Sequence, residues 1–147
     1  MRIAALFLLA ATTVAIAAED QPAPPTPRQL TGEELRREVP GRTISGRHFN
    51  GMRFSEYHAP DGRVLGHNNH ERVQQGCWRI IEDQVCYTYD KGAITGLFCW
   101  KFFRAQGGYT IYLEESGTVG TAKAEPGNPY GWDDGGKPWD CNLMSMR

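Results

Sequence analysis

The stretch Gly76 to Asp90, GCWRIIEDQVCYTYD, sets two runs of strand-forming residues on either side of Glu82-Asp83. A turn at that pair places Ile81 opposite Gln84, Ile80 opposite Val85, Arg79 opposite Cys86 and Trp78 opposite Tyr87. Side chains alternate across a sheet. One face of the hairpin therefore carries Trp78, Ile80, Val85, Tyr87 and Tyr89 and is apolar and aromatic. The other carries Cys77, Arg79, Ile81, Cys86, Thr88 and Asp90 and is mixed.

The following run, ITGLFCWKFFR, extends the pattern. Setting Cys86 opposite Cys99 requires a loop from Lys91 to Ile94, an ordinary hairpin length. Phe98, Trp100 and Phe102 then join the aromatic face, and Leu97, Cys99, Lys101 and Phe103 join the mixed one. The two registers are set independently and agree on which face is apolar. Directly opposed residues of an antiparallel pair have Cα atoms about 4.5–5.5 Å apart, within the range a disulfide accepts. Cys86–Cys99 is thus expected as a cross-strand staple, and Cys77, on the same face one strand over, is expected to bond Cys141 in the tail. Four cysteines allow three pairings, and the register argues for this one.

The surrounding chain fits an exported domain. Residues 1–17 read as a signal peptide: Arg2, an apolar run, and Ala15-Ile16-Ala17 before a cut at Ala18. The run is short for a membrane span. Residues 18–29 form a proline-rich spacer, and 30–147 a single β-rich domain. In a periplasmic or secreted protein, four cysteines read as two disulfides. The net charge of −1 becomes one unit more negative when Arg2 leaves with the signal, so electrostatics argue for neither nucleic acid nor an anionic membrane as partner.

LTGEELRREVPG predicts a helix over 32–38, with a capping box at Thr31 and Glu34, a hydrophobic staple between Leu30 and Leu35, and a stop at Pro40-Gly41. From Thr43 onward, turn signals such as Asn50-Gly51, Pro60-Asp61-Gly62 and Gly107-Gly108 divide seven short strands, eight if VGTAKA is one. The expected fold is mainly β: an antiparallel meander curled into a small barrel, with one short N-terminal helix and an irregular tail from Glu125 to Arg147.

No constellation of catalytic residues stands out. The cysteine spacings are far from those of zinc sites. His67-Asn68-Asn69-His70 is a weak metal candidate without a third ligand, and a two-residue turn at Asn50-Gly51 would set His48 opposite Arg53 and away from His58. Trp132 to Gly136 lacks the spacing of a calcium loop. There is no nucleophile elbow, no phosphate loop, and the carboxylates sit mainly at turns. The chain reads as a non-enzymatic binding domain without a cofactor. The aromatics Trp78, Tyr87, Phe98, Trp100 and Phe102 are expected either to fill the core or to line a cavity for a small apolar ligand.

The phrases LTGEEL, VPGRTISGRHFNG, FSEYHAPDGRVLG, GCWRIIEDQVCYTY and GNPYGW, in that order, resemble a family of small exported alphaproteobacterial proteins, a domain of unknown function. The likeness spans residues 30–132. It implies export and a compact β fold and supplies no catalytic residues. Small exported disulfide-bearing barrels also include inhibitors of proteases and of lysozyme, a fold-level analogy that makes inhibition the alternative, with 19–28 or the tail as the plug.

Overall fold

The computed structural model describes residues 27–69, 71–73, 76–89, 96–136 and 140–141. The expected signal segment, the expected spacer as far as residue 26, His70 and the Lys91–Ile94 loop lie outside the described residues. One helix, α1 (Gly32–Glu38), precedes nine strands: β1 (Arg42–His48), β2 (Arg53–His58), β3 (Val64–Asn68), β4 (Glu71–Val73), β5 (Gly76–Ile81), β6 (Gln84–Tyr89), β7 (Phe98–Ala105), β8 (Gly108–Leu113) and β9 (Thr118–Pro126). The count exceeds the expected seven or eight because the run from Glu71 to Ile81 is split into β4 and β5 and VGTAKA is a strand. That last strand reaches Pro126, so the irregular tail starts at Gly127 and not at Glu125.

All strands join one antiparallel sheet in the order β4-β3-β2-β1-β9-β8-β7-β6-β5. The first and last strands pair, as they do in an up-and-down barrel. The break falls instead between β4 and β5, which are consecutive in the chain. It is nearly closed: the Trp78 amide donates to the Gly62 carbonyl at 2.8 Å, and Arg63 bridges Cys77.

The hairpin that set the sequence reading has the expected register from Ile81↔Gln84 to Trp78↔Tyr87, and Cys86 pairs with Cys99. Both disulfides form as expected, with Cα separations of 4.0 Å for Cys86–Cys99 and 5.5 Å for Cys77–Cys141. Trp78, Val85, Tyr87 and Phe102 are buried inside the barrel, with Ile80, Tyr89 and Trp100 packed against them.

One register differs. The β1–β2 connection is a three-residue loop, Phe49-Asn50-Gly51, with Gly51 at φ +87°. His48 therefore meets Met52, whose carbonyl accepts its amide at 2.9 Å, and Arg47 meets Arg53. A one-residue slip exchanges faces. Arg53 lies outside, while His48 turns inward and is buried.

The helix closes one end of the barrel. Its capping box is complete, and Leu30, Leu35 and Val39 are buried in the core. Its N-terminus rests on the β5–β6 turn, where the Gly32 amide donates to Asp83 Oδ1 at 2.6 Å. Its last turn is held by Glu38, which accepts from Arg104 and from the Tyr109 hydroxyl. The opposite end, framed by the β1–β2, β3–β4 and β8–β9 turns, carries no such cover among the described residues.

Candidate functional site: a polar interior beneath an open end

β2 decides the chemistry of the interior. Its sequence RFSEYH alternates so that Phe54, Glu56 and His58 all point inward and are buried. A carboxyl and an imidazole thus enter an otherwise apolar barrel, where each must find hydrogen-bond partners.

His58 lies deepest, toward the helix. Its Nδ1–H donates to the Glu56 backbone carbonyl at 3.0 Å, which leaves Nε2 to accept from the Tyr87 hydroxyl at 2.8 Å. The Trp78 ring meets it edge-on at 5.2 Å. Burial favours the neutral ring and pushes its pKa down to about 4.

Glu56 occupies the middle layer. Tyr89 donates its hydroxyl to Oε1 at 2.8 Å, and Asn68 Nδ2 donates to the same oxygen at 3.3 Å. No cation pairs with this carboxyl among the described residues. Desolvation pushes its pKa up to about 7, against the opposing pull of the Tyr89 and Asn68 hydrogen bonds.

His48 forms the layer nearest the open end. Its ring stacks between Phe54 at 4.9 Å and Trp100 at 5.1 Å. Burial lowers its pKa as well. Three buried polar atoms here have no hydrogen-bond partner among the described residues: His48 Nδ1, Asn68 Oδ1 and Asn69 Oδ1. Asn69 is also held at φ +49°, a conformation uncommon outside glycine.

These layers underlie a recess of about 270 Å³ at the open end, walled by His48, Asn68, Asn69, Tyr89, Phe98 and Trp100. Beneath it lies a cavity of about 30 Å³ that touches Glu56. The two share His48, Asn68, Tyr89 and Trp100 as walls. The cavity is about the size of one water molecule.

The expected site aromatics divide between packing and recess. Trp78 is core, its indole N–H donating to the Ala59 carbonyl at 3.0 Å. Tyr87 and Phe102 border only the small cavity, Phe98 only the recess, and Trp100 both. Glu56, His58, Asn68 and Tyr89 were not among the expected site residues, although alternation from Phe54 would have turned Glu56 and His58 inward. His67, the metal candidate inside the described residues, pairs with Ser55 on the face of the sheet opposite to His48 and His58. The three described histidines therefore do not converge on one site.

A larger depression of about 720 Å³ lies on the outside of β1, β2 and β9, between the Ala105–Gly108 turn and the tail residues Tyr130 and Trp132. It is open to solvent, and none of its side chains belongs to the buried polar network. The interior recess holds that chemistry. No helix among the described residues is long and apolar enough to cross a membrane. Comparisons with protein-family models, with curated proteins and with solved structures returned no match, so the reading of this site rests on its geometry.

Proposed function

We propose that the chain is an exported, non-enzymatic β-barrel that binds a small ligand through its open end. The observation that carries this reading is the recess of about 270 Å³ above a buried carboxyl, with orphaned amide oxygens in its wall. A concave site with apolar and aromatic walls and a few convergent polar groups is the usual form of a small-molecule site. Binding is favoured over catalysis because both nitrogens of His58 are committed to neutral partners and it lies too deep to meet a ligand in the recess. Two disulfides support export.

The test is a fragment screen of the mature domain by ligand-observed NMR, with hits mapped on the labelled protein. Hits should perturb the Trp100 indole and the Tyr89 ring. Hits that map only to the outer depression, or no hits at all, would overturn the reading.

Inhibition of a periplasmic protease or of lysozyme is the second reading. It is favoured by Phe49, 78% exposed at the tip of the β1–β2 loop. The tail is a poor plug, since ion pairs and a disulfide hold it to the barrel. An inhibitor should lose potency against its hydrolase on Phe49→Ala while keeping its stability.

A further inference from the structure

We infer that the ligand of the recess is a primary ammonium compound with an apolar or aromatic body, its charged head seated in the small cavity against Glu56. This rests on the recess being a binding site. Three features of the lining agree. Glu56 is a carboxyl with no cation beside it among the described residues, held by two neutral donors on one oxygen. Asn68 Oδ1 and Asn69 Oδ1 are acceptors without donors among the described residues. The rest of the wall offers ring faces, Tyr89, Phe98 and Trp100 with His48 stacked on Trp100, beside Asn50, Met52, Leu113 and Thr118.

A carboxyl, spare amide oxygens and ring faces all attract positive charge and N–H donors. Among the described residues, no Lys or Arg lines either space. An anionic ligand would find only neutral donors among the described residues and would face Glu56. A fully apolar ligand would cover the amide oxygens without supplying them a donor, which is costly. Size narrows the choice further. A cavity of about 30 Å³ admits a group as large as a water molecule, so an –NH₃⁺ head fits and a trimethylammonium head does not. The recess above it, about 270 Å³, takes the body.

Burial favours the protonated form of Glu56, so the carboxyl is tolerated without a cation among the described residues. An arriving ammonium supplies a counter-charge.

The test is calorimetric titration of the wild-type domain with three probes: 2-phenylethylamine, 2-phenylethanol and the N,N,N-trimethyl derivative of the amine. The amine should bind at least tenfold more tightly than the other two. Glu56→Gln keeps an oxygen to accept from Tyr89 and Asn68 but removes the charge. It should abolish the amine's advantage and leave the alcohol unchanged. Equal binding of amine and alcohol to wild type would overturn the ammonium assignment while leaving the recess reading intact. Tighter binding of the trimethyl compound would overturn the seating of the head in the small cavity. No binding of any probe would overturn the ammonium assignment, and the fragment screen then decides the recess reading separately. If Glu56→Gln fails to fold, the wild-type series alone decides.

Discussion

Glu56 and His58 stand two residues apart on one face of β2, and burial moves their proton affinities in opposite directions. His58 falls from 6.5 to about 4, so the unfolded chain takes up its proton first. Its contribution to stability is complete above 6.5 and is lost as pH falls through that window. Glu56 rises from 4.5 to about 7. Its contribution is complete below 4.5 and is lost as pH rises through 7. Each shift is worth roughly 3 kcal/mol, and the two largely cancel between pH 4 and 7. In urea titrations the wild-type domain should therefore show only a mild fall in stability toward acid across that range, the part that His48, its pKa also lowered by burial, leaves uncancelled. Glu56→Gln removes one arm, and its stability should fall by about 2–3 kcal/mol from pH 6.5 to pH 4. A variant that stays flat would show His58 to be protonated or solvated in the fold. The inward direction of both residues was legible in the sequence, because Phe54 fixes the face. Their partners were not: Tyr87, Tyr89 and Asn68 come from other strands, and only barrel closure brings them to β2.

At the scale of elements, helix α1 was the most legible piece, since its cap, staple and stop are all local chemistry. Its seat on the barrel was not. Gly32 is a helical glycine, and replacing one with alanine ordinarily stabilises a helix by about 1 kcal/mol. Here a Cβ would lie 2.1 Å from the Glu82 carbonyl oxygen, a backbone atom of the β5–β6 turn. Gly32→Ala should instead destabilise the domain, by about 1–3 kcal/mol, because the helix must lift from the turn or the turn must shift. Thermal unfolding beside Thr31→Ala, which should cost about 1 kcal/mol through the lost cap, separates the two effects. A Gly32→Ala protein more stable than wild type would mean that the helix does not sit on that turn. The β1–β2 loop was misread for a related reason. Asn50-Gly51 signals a hairpin but leaves the choice between a two-residue and a three-residue loop open, and the choice decides which face each residue takes. The observed loop sets Arg47 directly opposite Arg53 on the outer face. Like charges in that relation are mildly repulsive, so Arg53→Glu should raise stability by about 0.2–1 kcal/mol in the same melts.

At the scale of the molecule, the alternation of a strand says which face is buried but not which strand lies beside it, so the pairing of β1 with β9 was not legible. That pairing moves the weak line of the barrel to the β4/β5 seam, where neighbours in the chain are not neighbours in the sheet. The tail crosses this line. It leaves β9 with Gly127 bound to Thr43 and Gly41, has Asp133 paired to Arg72 of β4 and Asp134 paired to Arg63 beside β3, and at Cys141 is bonded to Cys77 of β5. Exposed ion pairs contribute little. The disulfide, closing a separation of 64 residues, is worth about 4 kcal/mol in the chain-entropy model, against about 3 for Cys86–Cys99 with its separation of 13. The energies are similar, but the mechanical roles differ. Cys86–Cys99 joins strands that already pair, whereas Cys77–Cys141 ties edge strand β5 to the tail, which is itself ion-paired to edge strand β4. Replacing Cys77 and Cys141 together with Ala should therefore open the seam before it unfolds the barrel. Hydrogen exchange reads this at one amide, that of Trp78, which donates to Gly62 across the seam. Its protection should drop selectively in the Cys77→Ala, Cys141→Ala protein and only in step with global stability in the Cys86→Ala, Cys99→Ala protein. Equal loss in both would mean that the seam is closed by its own hydrogen bonds, and that the tail lies on the barrel without bracing it.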